Sequence, residues 1–161
     1  MATRSIVKEG DSVLHTKTRL VRDFGPRLST LLDDMRETLV VADGVGLAAP
    51  QVGILRRVCV VYDTEADEFI ELVNPEIIAQ EGEEEDCEGC LSFPNVWGLV
   101  TRPTRVTVRA QDRNGNTFER TGEGLTARAF CHEIDHLDGV VFTERMSRRL
   151  TNEELRELRG E

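Results

Sequence analysis

Cys131-His132-Glu133-Ile134-Asp135-His136-Leu137-Asp138-Gly139 holds two of the chain's three histidines in a His-Glu-x-x-His pattern. Coiled as a helix, this stretch sets His132 and His136 one turn apart on one face, where two imidazoles can share a metal ion. Glu133 is rotated off that row and suits a general acid/base beside the metal better than a ligand. The helix extends upstream. Leu125, Ala129, His132 and His136 recur at helical spacing, and Ala127, Phe130, Ile134 and Leu137 make a second apolar stripe. A helix that is apolar on several sides belongs inside a protein, which suits a site that must exclude bulk water. Gly139 supplies the stop signal. The rival interpretation is two core histidines or a surface coincidence, and it fits poorly in a chain so short of histidine.

The rest of the composition is that of a globular protein. The 161 residues are 39% hydrophobic and 31% charged, with a net charge of −10. That length makes one domain with a sizeable core, residues 1–161. The negative charge argues against a nucleic-acid-binding basic face, though not against docking on a nucleoprotein through a local basic patch. The start of the chain has no apolar leader, and no stretch is long enough to span a membrane. A cytoplasmic location follows as the expectation. The four cysteines then point to metal or redox chemistry, or to buried thiols, more than to disulfides.

Residues 1–22 carry no clear pattern, and His15 there reads as a surface or packing residue. Gly25-Pro26 opens an amphipathic helix. Its apolar row is Leu28, Leu31, Leu32, Met35, Leu39 and Val40, with Asp33, Asp34, Arg36 and Glu37 opposite, and it ends before Gly44. Gly44-Val45-Gly46-Leu47-Ala48-Ala49-Pro50-Gln51 is a small-residue segment that allows close backbone approach. Its one polar side chain, Gln51, could donate to a developing oxyanion; the alternative is a tight turn with Gln51 exposed. Val58-Cys59-Val60-Val61 reads as a buried strand with a core thiol. Phe69–Val73 and Pro75–Ala79 read as two strands separated by a turn. Trp97, Val100, Val106, Val108 and Phe118 mark an antiparallel meander, with a hairpin turn at Asn114-Gly115. Thr151 and Glu154 form a capping box on a short final helix, preceded by a small basic cluster of Arg145, Arg148 and Arg149. A long helix, short strands, a hairpin and a late buried helix argue for an α+β fold. Antiparallel strands would pack around the central metal-binding helix, between an N-terminal helix and a short C-terminal one.

Between these lie an acidic run, residues 81–88, and Glu88-Gly89-Cys90-Leu91-Ser92. The run reads as a solvated loop or strand edge, with a cation-attracting field as the alternative. Cys90 is the natural third ligand for the two histidines, and a thiolate suits Fe(II), Zn or Ni. Cys87 could join it in a closed Cys2His2 structural zinc site, or pair with it in redox chemistry. The wide Cys-to-His separation and an otherwise idle Glu133 weigh against the closed site.

Three motifs in this order resemble the peptide deformylase family: Gly44-Val45-Gly46-Leu47-Ala48-Ala49-Pro50-Gln51, Glu88-Gly89-Cys90-Leu91-Ser92 and His132-Glu133-Ile134-Asp135-His136. The resemblance covers nearly the whole chain. It implies that Cys90, His132 and His136 hold one divalent metal ion, Fe(II) foremost, with Zn, Ni or Co as alternatives. It implies Glu133 as general acid/base, and Gln51 with the backbone N–H of Leu91 as oxyanion donors while activated water attacks the formyl carbon. Val45, Gly46 and Gly89 would bind the substrate backbone, and Leu125 and Ala129 the methionine side chain. The implied substrates are N-formylmethionyl peptides and nascent chains, with transient ribosome contact and no direct nucleic-acid or membrane binding. Two departures are visible. Cys131 stands where the family usually has Gln, which is expected to alter packing or oxidation sensitivity. The chain also stops soon after the metal helix, without the long C-terminal extension some members use at the ribosome. Outside this family, a His-Glu-x-x-His metallopeptidase would need a third ligand in place of Cys90, and a zinc-stabilised binding module would need Cys87. A deformylase-like protein with altered substrate preference would carry the same motifs.

Overall fold

The computed structural model describes residues 2–161. Pro26 begins helix α1 (Pro26–Ala42), its fixed φ suiting the first turn, and Asp43 ends it in the left-handed conformation at φ 55°. Leu28, Leu31, Leu32, Met35 and Leu39 are buried as their spacing predicts. Val40 departs from that row and is 61% exposed, because it stands one turn beyond Arg36 on the outer side while Leu39 beside it stays buried. Asp34 departs in the other direction. It is buried, and accepts from the backbone of Ala2 and the guanidinium of Arg4.

A five-stranded antiparallel sheet, ordered β1-β2-β3-β6-β7, forms the main layer. Its strands are β1 (Gly46–Ala48), β2 (Val58–Asp63), β3 (Glu68–Glu81), β6 (Arg105–Gln111) and β7 (Thr117–Glu123). The two strands read over 69–79 are one strand, β3. Asn74 and Pro75 do not turn the chain; they bend it at a bulge. There Asn74, at φ 52°, binds the Val21 backbone and Gln111. The Asn114-Gly115 hairpin joins β6 and β7 as predicted, with Gly115 at φ 86°.

A smaller sheet, ordered β4-β5-β8, comprises β4 (Glu84–Cys90), β5 (Phe93–Arg102) and β8 (Arg148–Arg149). The single meander from Trp97 to Phe118 is therefore corrected: β5 pairs with β4 and β8, while β6 turns back onto β3. Helix α2 (Leu125–Leu137) lies between the sheets and is buried along most of its length. Its Ala127, Phe130, Ile134 and Leu137 join Val61, Leu72, Val106 and Val108 of the large sheet in one apolar cluster. Gly139, at φ 76°, follows its end. Helix α3 (Asn152–Leu158) opens on the predicted Thr151–Glu154 capping box. The basic cluster before it is largely consumed in ion pairs, Arg145 with Asp135 and Arg148 with Glu154. The architecture is thus α+β, and among the described residues no helix is long and apolar enough to cross a membrane.

Candidate metal centre

Strand β4 carries Cys90 at its end, just before the chain reverses at Leu91-Ser92. Helix α2 brings His132 and His136 to the same point, with ring centroids 4.9 Å apart. One donor atom from each of the three residues lies within 4.8 Å of the others. The Cys90 Sγ is 3.3 Å from His136 Nε2. His132 Nδ1 lies 2.7 Å from a Glu88 carboxylate oxygen, so it donates there and leaves Nε2 facing the other two donors. A triangle of this size suits an ion about 2.0–2.3 Å from each donor, and thiolate plus two imidazoles suits a first-row divalent metal. The residues fit the ion that the sequence implied. Cys87 lies outside the donor group, among the described residues, so the closed Cys2His2 arrangement is not formed.

Glu133 is 3% exposed, and its Oε2 lies 4.0 Å from His132 Nε2. Its other carboxyl oxygen is buried with no hydrogen-bond partner among the described residues. Burial pushes this carboxyl up to about 7, against an opposing pull from His132. Gly46 explains how the side chain fits, since a Cβ there would stand 2.4 Å from Glu133 Oε2. Gln51 is fully buried, which excludes the exposed-turn alternative. Its carbonyl oxygen accepts from the Ala48 N–H at 2.9 Å, fixing the amide. Its NH2 group then points at Ser92 Oγ, 3.2 Å away, and at Cys90 Sγ, 3.5 Å away.

A cavity of about 370 Å³ opens onto these groups. Val45, Gly46, Gly89, Leu91, Leu125 and Ala129 line it, so every residue expected near a substrate borders one space. Leu125 is half exposed at the mouth. His15 stands apart, exposed beside Glu144.

Sequence reading missed the charges behind the centre. Glu88 closes an acidic run that reads as solvated, yet it is 5% exposed while Glu84, Glu85 and Asp86 are exposed. Its carboxylate accepts from Arg102 Nε and Nη2 at 3.1 and 2.8 Å, and from Arg128 Nη1 at 3.0 Å, besides His132. Burial opposes the charged form, but His132 and Arg102 outweigh it and hold the carboxyl well below the usual range. Arg102 also binds Asp135 at 2.7 Å, and Arg128 donates to the carbonyls of Val100 and Glu84. One signal was available: an arginine at position 128, between Ala127 and Ala129 on a helix whose apolar stripes predict burial, needs buried acceptors. Cys131 is buried in the main core, and burial raises its thiol away from the oxidant-sensitive thiolate.

The model of the family described as polypeptide deformylase matches residues 3–152. The chain is 53% identical over 160 residues to a peptide deformylase of Caldicellulosiruptor bescii, covering 99% of this chain and 95% of that one. Its fold matches the crystal structure of a Legionella pneumophila peptide deformylase with a TM-score of 0.86 at 43% identity, over 99% of this chain and 92% of that one. A Met-Ala-Ser-bound class I type b peptide deformylase from Acinetobacter baumannii matches at 0.84 and 32% identity, over 90% and 99% of the two chains. On this evidence the chain is an enzyme of the polypeptide deformylase family.

Proposed function

We propose that this chain removes the formyl group from the N-terminal formyl-methionine of newly made polypeptides, with Cys90, His132 and His136 holding one divalent cation. Fe(II) is the first candidate, with Zn, Ni or Co as alternatives. The observation that carries the proposal is geometric: a buried carboxyl, Glu133, stands beside the three donors, with its Oε2 4.0 Å from His132 Nε2, and borders the same cavity. When bound, the cation acidifies water and draws charge from the formyl oxygen. Glu133 accepts the proton of the attacking water as the new C–O bond forms at the formyl carbon. It then delivers that proton to the amine nitrogen as the C–N bond breaks and formate leaves. A buried carboxyl whose proton affinity is raised by desolvation suits both transfers.

Gln51 and the Leu91 backbone N–H meet the charge that develops on the formyl oxygen. The Ala48 N–H holds the Gln51 carbonyl and so keeps the amide NH2 facing the centre beside Cys90, where the formyl oxygen would lie. Loss of one such donor typically costs about 3 kcal/mol of barrier. Val45, Gly46 and Gly89 offer backbone to the peptide, and Leu125 and Ala129 take the methionine side chain. Nascent chains would be the cellular form of the substrate, met transiently at the ribosome in the cytoplasm. The net charge of −10 supports a reading without a nucleic-acid-binding face. The whole of 1–161 is read as one catalytic domain.

Protein purified without oxygen should release formate rapidly from formyl-Met-Ala-Ser. No release by folded, cation-loaded protein would overturn the proposal.

A further inference from the structure

The two oxyanion donors come from segments that belong to different sheets. Gln51 follows β1, the edge of the five-stranded sheet, in the short helical turn Ala49–Val52. Leu91 follows β4 in the smaller sheet. Since β1 pairs with β2 and β4 with β5, neither ladder fixes the distance between the donors. The Gln51 side chain spans the gap to Cys90 and Ser92, but that amide is the very group that must be placed.

A third segment ties the two together. The Val7 N–H donates to the Gln51 backbone carbonyl at 2.7 Å, and the Glu9 N–H donates to the Ser92 carbonyl at 2.9 Å. Between them, the Lys8 ammonium reaches the Leu91 carbonyl at 3.4 Å. Three successive residues thus grip Gln51, Leu91 and Ser92. The gripping segment is itself anchored on both sides. Upstream, the Arg4 N–H donates to Thr38 Oγ1 and the Arg4 guanidinium binds the buried Asp34, both on α1. Downstream, Leu14 is fully buried with Phe93, Val100 and Phe142, and Val7 and Cys90 pack on the same cluster. A shift of about 1 Å in a catalytic group can cost as much as a hundredfold in rate, so two hydrogen bonds that add modestly to stability can matter greatly to turnover.

We propose that Val7–Glu9 is a strap that positions the oxyanion hole, setting the separation between the Gln51 amide and the Leu91 N–H across the two sheets. Val7 and Glu9 are positioning residues that act through their backbone N–H groups and touch no substrate. This inference rests on the deformylase reading above.

The test uses the full chain, cation-loaded, with formyl-Met-Ala-Ser. Val7→Pro deletes one gripping N–H, at a residue outside any helix where proline is tolerated. It should lower kcat about tenfold with KM within about twofold of the parent and cation content unchanged. Glu9→Pro should do the same at the other grip. Ser5→Pro is the control: Ser5 is exposed, its N–H makes no hydrogen bond among the described residues, and the variant should match the parent. A double variant separates positioning from general damage. Gln51→Ala should cut kcat about a hundredfold, and adding Val7→Pro should cost less than about twofold more, because the group being positioned is gone. Parent-like kcat in Val7→Pro and Glu9→Pro would overturn the strap and leave the deformylase reading standing, and so would a further tenfold loss in the double variant. Should the proline variants not fold, amide hydrogen exchange in the zinc-loaded parent decides. The Val7 and Glu9 N–H groups should be protected at least about a hundredfold over an open chain, and free exchange would overturn the strap. If the parent itself releases no formate, the deformylase reading falls and the strap's role falls with it.

Discussion

Replacing Glu88 with Ala should be among the most damaging single changes in this protein. Glu88, Arg102 and Arg128 have side chains that are 5%, 4% and 10% exposed, and one carboxylate accepts all four of the N–H groups aimed at it. Removing it strands two guanidinium groups in a water-poor interior. Arg102 keeps Asp135, and Arg128 keeps two carbonyls, so neither cation is wholly abandoned. Breaking a buried ion pair from one side typically costs about 3–5 kcal/mol, and the shared network places this case within that range. For a chain of this length the loss corresponds to roughly 6–20 °C in Tm. Urea unfolding of cation-free protein isolates the network, because a bound ion would add its own stabilisation to the native state. Separately, His132 loses the acceptor that fixes its Nδ1, which should weaken cation affinity about 10–100-fold. A loss below about 1 kcal/mol with unchanged affinity would refute the reasoning, since it would mean that Glu88 neither satisfies the arginines nor orients His132.

Gly46→Ala should cut kcat/KM by about a hundredfold with cation content unchanged, because the new Cβ would displace Glu133 from 2.4 Å away; steady-state rates beside a metal assay check this. Cys87→Ser should keep one cation per chain and a native thermal transition, since Cys87 lies outside the donor group; lost metal and lost folding would restore the structural-zinc reading. The raised Glu133 carboxyl carries a pH signature in cation-free protein. Its folded-state value, about 7, lies above the ordinary 4.5, so the folded state holds the proton more tightly than the unfolded chain does. Its contribution is therefore full below about pH 4.5 and is lost as pH rises through 7, by on the order of 3 kcal/mol. Denaturation across that window should show the decline in the parent and a flatter curve in Glu133→Gln.

The metal helix was legible because two independent signals coincide in it, an apolar 3.6-residue period and two histidines one turn apart. The capping box of α3 and the Asn114-Gly115 hairpin were legible for a similar reason, since each is local chemistry within a few residues. Other features were not local. Asn74-Pro75 looks like a turn in sequence, and only the hydrogen bonds of Asn74 to Val21 and Gln111 make it a bulge within one strand. The two-residue link Pro103-Thr104 invites pairing of β5 with β6. The partners of β5 are instead β4 and, nearly fifty residues on, β8. Glu88 was hidden by its neighbours, because an acidic run is usually solvated. Its partners Arg102 and Arg128 lie 14 and 40 positions away, and no short-range pattern couples them. Val40 shows the opposite limit: helical spacing predicts a face, but an apolar residue at its margin, in line with Arg36, falls outside it while Leu39 stays buried.

Formate release from formyl-Met-Ala-Ser by Glu133→Gln, set beside the parent with the cation content of both proteins quantified, decides whether Glu133 moves the proton. Both proteins should carry one cation per chain, held by Cys90, His132 and His136, with turnover nearly abolished in the variant. Parent-like turnover in a variant carrying its full cation would contradict Glu133 as the group that moves the proton.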